Sequence, residues 1–146
     1  MKPNTQAALT SAGWLPGRAV ETRSYERALL SEGYAVPDSV RTFLREFGGL
    51  TVRFPTPRMP HVQTDFVLDP VAGVSAIYRE RVETYEDRVG AELTVIGRAD
   101  RGHLTLMMDP AGRVFAASDD YLVSLGSTGA EALDSLLGDE PFRLVP

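Results

Sequence analysis

Apolar residues recur along this chain with two different periods, and the fold class can be read from where one gives way to the other. Val36, Val40, Phe43, Leu44 and Phe47 follow helical spacing, with Pro37 as the first helical residue and Gly48-Gly49 as a left-handed stop. Leu50, Val52 and Phe54 then alternate with Thr51 and Arg53, the pattern of a half-buried strand. Upstream, the sequence predicts a short helix from Gln6 to Ala12 ending at Gly13, and a second from Thr22 to Glu32 with Gly33 at its end. Leu15-Pro16-Gly17-Arg18 between them is a turn. Downstream, Pro55, Pro57 and Pro60 predict a stiff, irregular loop without a regular ladder, followed by a short strand from Asp65 to Leu68. The longest helical pattern runs from Gly73 to Val89. There Val74, Ile77, Tyr78, Val82, Tyr85 and Val89 form one apolar stripe, while Arg79, Glu80, Glu83, Glu86 and Asp87 face elsewhere.

From Leu93 to Leu125 four β-type runs alternate with turn chemistry, which predicts an antiparallel meander offering a broad face. Asp109-Pro110-Ala111-Gly112 fits a type I turn, and it sets Leu104, Leu106 and Met108 beside Val114 and Ala116. A last helix opens with Thr128 and Glu131 at capping-box spacing, buries Leu133, Leu136 and Leu137, and stops at Gly138. The expected fold is one α+β domain over residues 1–146. Helices come first, then a mostly antiparallel sheet with one long amphipathic helix and a C-terminal helix.

A chain of 146 residues can bury a self-sufficient core without staples, so the absence of cysteine carries no structural penalty. It removes disulfides and thiolate metal sites and suits a reducing cytoplasm. No apolar stretch is long enough for a signal sequence core or a membrane span, so a cytoplasmic location is expected. Charge is unevenly placed: +3 over residues 1–60 and −8 over residues 61–146. An acidic second half argues against a nucleic-acid ligand and suits a basic protein partner.

Catalytic chemistry finds little support. The only histidines, His61 and His103, fall in the Pro-rich stretch and at a strand start, and Ser75 lacks the glycine pattern of a nucleophile elbow. His61, His103, Asp65, Asp69, Asp109, Asp119 and Asp120 show no metal-ligand spacing, and Asp69 and Asp109, each before a proline, read as turn initiators. Gly48-Gly49 follows a helix, the wrong polarity for an anion, and Gly126-Ser127-Thr128-Gly129 has no neighbouring lysine for a phosphate. No catalytic residue, metal or cofactor is expected. The acidic residues of the long helix have two readings: a solvated face laced by Arg79, Arg81 and Arg88, or a surface that docks a basic protein.

Three segments together resemble the SUKH superfamily, in particular its third subfamily of small bacterial immunity proteins. They are Ala12-Gly13-Trp14-Leu15-Pro16-Gly17-Arg18, then Phe43-Leu44-Arg45-Glu46-Phe47-Gly48-Gly49-Leu50, then the Ile96-Gly97 to Val114-Phe115 meander, with the likeness covering about residues 9–138. The resemblance implies a cytoplasmic, non-enzymatic antitoxin that binds a cognate toxin, often a nuclease, of a contact-dependent or polymorphic toxin system. It implies fold-determining roles for Trp14, Pro16, Gly17, Arg18, Phe47, Gly48 and Gly49, and does not locate the interface. The residues expected to meet the toxin, through a basic surface on it, are Glu80, Glu83, Glu86, Asp87, Asp119 and Asp120. The alternative is a SUKH-like regulatory or scaffold module without a toxin partner.

Overall fold

Both periods resolve into regular elements. In the computed structural model, which describes residues 1–138 and 142–146, three helices come first: α1 (Pro3–Ser11), α2 (Arg23–Ser31) and α3 (Asp38–Phe47). Strands β1 (Thr51–Thr56) and β2 (Met59–Val67) follow, then helices α4 (Pro70–Val74) and α5 (Arg79–Val89). The meander comprises β3 (Thr94–Ala99), β4 (Leu104–Met108), β5 (Val114–Ser118) and β6 (Tyr121–Gly126), after which come α6 (Gly129–Leu137) and β7 (Arg143–Leu144). All seven strands form one sheet in sequence order, and every neighbouring pair is antiparallel. The α+β expectation therefore holds, with helices before the sheet and a helix near its end.

Several local signals act as read. Met108 pairs with Val114 and Leu106 with Ala116, the register set by the Asp109–Gly112 turn. The Asp109 carboxylate accepts from the Arg113 backbone N–H at 2.8 Å and from Arg113 Nε, which ties that turn shut. Thr128 caps α6 by accepting from the Glu131 N–H, and Glu131 reaches back to the Ser127 N–H.

Three expectations need correction. Residues 55–60 are not an irregular loop: β1 runs through Pro55 to Thr56 and β2 begins at Met59, so the second strand is longer than Asp65–Leu68. Pro55 is tolerated because β1 is the sheet edge, and Pro60 because the register shift between Pro55 and Thr56 leaves residues 60–62 of β2 without ladder partners. The long helix from Gly73 to Val89 is two helices. Asp69 caps α4 by accepting from the Val71 N–H, and Tyr78 is extended (φ −77°, ψ 145°), so α5 begins afresh at Arg79. The restart puts Val82 and Tyr85 in the core and leaves Tyr78, expected in the buried stripe, 84% exposed.

The meander, expected to offer a broad face, is covered instead. Neighbours of opposite parity, Leu106 and Met107, Val114 and Phe115, Leu122 and Val123, are all within 3% of full burial. A strand that hides both parities must be covered on both faces. Gly73 of α4 leaves no room for a side chain against Val95, while Gly129 of α6 lies against Phe43 of α3 and Met108. Val95 pairs with Met107, the neighbour of Met108, so α4 lies on one face and α3 with α6 on the other.

The two glycine-bearing motifs near the N-terminus meet in space. Trp14 stacks on Phe47 with centroids 6.4 Å apart, and its indole N–H donates to Glu46 Oε2 at 3.1 Å. Arg18 donates to the carbonyls of Glu46 (2.8 Å) and Gly48 (2.9 Å), satisfying acceptors that the end of α3 leaves unpaired. Gly48 and Gly49 lie against the Tyr25 side chain, and a Cβ would come within 2.9 Å of its ring at Gly48 and of its hydroxyl at Gly49. Pro16 and Gly17 form the turn that carries Arg18 to this helix end, with the Arg18 N–H donating to Leu15 O at 3.1 Å.

Candidate functional site

α5 starts where Tyr78 turns extended and stops where Gly90 takes the left-handed conformation at φ 75°. With about 3.6 residues per turn, burying Val82 and Tyr85 sends Glu80, Glu83 and Asp87 outward along one stripe. All three are exposed. Glu86 is on a different face. Its side chain is only 15% exposed, pairs with Arg79 at 3.3 Å and accepts from the Leu93 backbone N–H at 2.8 Å. That carboxylate joins the end of α5 to the start of the meander.

The β5–β6 turn is latched to the same helix. Tyr85 donates its hydroxyl to the Asp119 carbonyl at 2.8 Å, and burial pushes that hydroxyl's pKa up, with Arg81 opposing. Arg88 spreads its guanidinium over the carbonyls of Asp120 (2.9 Å), Val145 (2.7 Å) and Pro146 (3.2 Å). Asp119 is held at φ 50°, and both aspartate side chains stay exposed. The structure thus brings Asp119 and Asp120 to the flank of α5, joined to it through Tyr85 and Arg88.

The pairing of these carboxylates bears on one part of the solvated-face reading, the lacing by arginines. Among the described residues, no ion pair within 4.0 Å engages Glu80, Glu83, Asp87, Asp119 or Asp120. Arg79 is occupied by Glu86 and lies over the Tyr34 ring at 4.7 Å. Arg81 and Arg88 have no acidic residue of α5 at the three- or four-residue spacing that pairs helix side chains. The expected lacing is therefore one interior bridge rather than an exposed network.

Tyr34 beneath Arg79 gives a stability test of this corner. Its hydroxyl is buried without a partner, and burial pushes its pKa up from 10.0 to about 12, Arg79 partly opposing. The folded state thus favours the neutral phenol, so this stabilisation is complete below pH 10 and drains away as pH climbs toward 12. Tyr34→Phe should be neutral or up to about 1 kcal/mol stabilising at pH 7. It should also remove up to about 3 kcal/mol of the alkaline loss. Urea unfolding at stepped pH measures both, and an unchanged alkaline decline in the variant would refute the assignment.

The other candidates fall elsewhere. The Ser75 hydroxyl donates to the Ala72 carbonyl, and His61 is exposed on β2. His103 Nδ1 lies 2.8 Å from the Asp100 carbonyl, which can only accept, so that nitrogen carries the proton. His103 and Asp119 do border one pocket of about 260 Å³, but His61 is not part of it. Among the described residues no group of three or more His, Asp or Glu side chains is placed to hold a metal ion. Among the described residues no helix is long and apolar enough to cross a membrane. Two features were not anticipated as site residues: the exposed Tyr78, and Arg98, which lines the same pocket from β3. A cation set among Val95, Ile96, Gly97 and Ala99 was the signal for the second.

Compared with known families, residues 1–139 match the family model of the SUKH-3 immunity protein. No curated protein and no solved structure matches the chain.

Proposed function

The chain belongs to the SUKH-3 immunity protein family, and from that premise we propose that it neutralises one cognate bacterial toxin by stoichiometric binding in the cytoplasm. Its docking surface is the exposed carboxylates of α5, Glu80, Glu83 and Asp87, with Asp119 and Asp120 of the adjoining turn. Glu86, bound to Arg79 and the Leu93 N–H, shapes that surface from behind. The observation that carries this reading is that, among the described residues, Glu80, Glu83 and Asp87 on the outward stripe of α5 and Asp119 and Asp120 on its flank form no ion pair, while Arg79 and Arg88 of the same helix are bound elsewhere. Unpaired like charges repel and weaken the free protein slightly, a cost that a basic partner reverses on binding.

The toxin's basic surface makes a nuclease the fitting class. An enzyme that grips a phosphate backbone must display clustered cations, and carboxylates held on a rigid helix can occupy the positions of phosphates. The match extends to kinetics, because opposite fields speed encounter and the effect fades as salt rises.

Co-expression tests this directly. The protein should rescue cells making the toxin domain encoded beside its gene, and a one-to-one complex should survive size-exclusion chromatography. Absence of rescue and of any complex with that toxin would overturn the proposal and favour a regulatory or scaffold module.

A further inference from the structure

Arg98 is a cation with no counter-ion. It extends from β3 toward α5, on the face where Thr105 and Ala117 also line the 260 Å³ pocket. One terminal nitrogen donates to the Gly102 carbonyl at 3.0 Å, while its Nε–H is buried with no acceptor. No carboxylate lies within ion-pair distance of it among the described residues. The β3–β4 turn folds over the guanidinium, so that a side chain at position 102 would push the Arg98 tip aside, and the φ of 86° there favours glycine. A buried N–H left unpaired costs free energy, and a half-buried guanidinium without an anion costs more. Such a group in a pocket is a site awaiting its acceptor.

The rest of the lining defines that acceptor. Arg81 reaches the pocket from α5 and forms no ion pair among the described residues, and Tyr78, Tyr85, His103 and Ser118 also line the walls. Asp119 also borders it. With two guanidinium groups and one carboxylate, the pocket carries a single net positive charge, which suits a monoanion better than a phosphate dianion. A guanidinium presents a planar fork that matches a carboxylate, and the volume leaves ample room for an acidic side chain. Arg81 belongs to α5 and the exposed Tyr78 directly precedes that helix, so an occupant would come from a protein seated on α5.

We propose that this pocket receives one acidic side chain of the bound toxin, its carboxylate clasped between Arg98 and Arg81. The inference rests on the toxin-binding reading and adds to it a fixed point of register. A partner that matches the acidic stripe but lacks this carboxylate leaves Arg98 buried and unpaired, and so is discriminated against.

Two arms test it, using the whole chain. In the first, the arginine Nε–Hε NMR signals are followed while sodium acetate replaces sodium chloride at constant ionic strength, with inorganic phosphate as a parallel titrant. The Arg98 signal and the Gly102 and His103 amides should shift saturably with acetate. Arg81→Gln, a change on an exposed helix position, should weaken that response several-fold without altering the rest of the spectrum. Absence of saturation, or tighter binding of phosphate than of acetate, overturns the proposal. In the second arm, Arg81→Gln and Arg98→Lys should each lower affinity for the neighbouring toxin by about thirtyfold or more. Unchanged toxin affinity in both variants removes the pocket from the interface even if acetate binds. If the unmodified protein binds no toxin, the neutralisation reading falls, and the acetate titration alone decides whether the pocket takes a carboxylate.

Discussion

Replacing Trp14 by alanine should lower the unfolding free energy by about 3–5 kcal/mol, the cost of deleting a large buried ring. Three contacts vanish together: the stack on Phe47 at 6.4 Å, the hydrogen bond to Glu46, and the packing around a ring only 6% exposed. Domains of this kind hold about 5–15 kcal/mol in total, so the loss is a large share of it. Trp14→Phe keeps a stacking ring but forfeits the donor to Glu46, and about 1 kcal/mol should go. Trp14 is the sole tryptophan, so far-ultraviolet circular dichroism in urea is the usable probe rather than fluorescence. Leu15→Ala, one residue on and 63% exposed, is the control and should change stability by less than about 0.5 kcal/mol. A Trp14→Ala midpoint close to that control would contradict the view that this motif holds the end of α3. While the variant is folded, its toxin affinity should be unchanged, because a ring so enclosed cannot touch a partner.

The link between Arg18 and the carbonyls of Glu46 and Gly48 explains why two segments thirty residues apart look like one motif. Their likeness to a family was legible in the sequence; their meeting in space was not, since nothing local says which helix end an arginine will cap. The elements themselves were legible wherever a turn residue and a period agreed. α3 stops at Phe47 before Gly48, α6 is capped by Thr128, and the β4–β5 register follows the Asp109–Gly112 turn. The break between α4 and α5 was hidden because the apolar stripe from Val74 to Val89 is unbroken and Ser75–Tyr78 contains neither proline nor glycine. Tertiary packing overrides local propensity there: Gly73 is pressed against Val95 and Gly97, while Val82 and Tyr85 must reach the core from a different angle.

The candidate site divides in the same way. That acidic residues crowd the stretch from Glu80 to Asp87 was plain from composition. Which of them face solvent depended on where α5 restarts. Glu86 and Asp87 are adjacent in sequence, yet one is bound to Arg79 and the Leu93 N–H while the other is free. The proximity of Asp119 and Asp120 to this helix was invisible for another reason. It depends on Tyr85 and Arg88 reaching across to the β5–β6 turn, a long-range pairing that no spacing rule encodes.

Reversing the outward stripe, Glu80→Lys with Glu83→Lys and Asp87→Lys, should weaken toxin binding by about 3 kcal/mol or more, roughly a hundredfold, at low ionic strength. Most of that loss should appear as slower association, and the gap between variant and parent should close substantially near 1 M salt, where the screening length is about 3 Å. Asp87 should behave oppositely in the free protein. Glu83 and Asp87 are like charges four apart, and Asp87 lies in the last turn of α5, where the helix dipole disfavours an anion. Asp87→Lys alone should therefore raise the unfolding free energy by about 0.3–1 kcal/mol. A solvated face with no partner predicts that gain without any loss of binding, and that outcome would refute the patch. A docking surface predicts both at once, stability rising as affinity falls. That opposition in sign separates the two readings, because a variant that merely damaged the fold would lower both together.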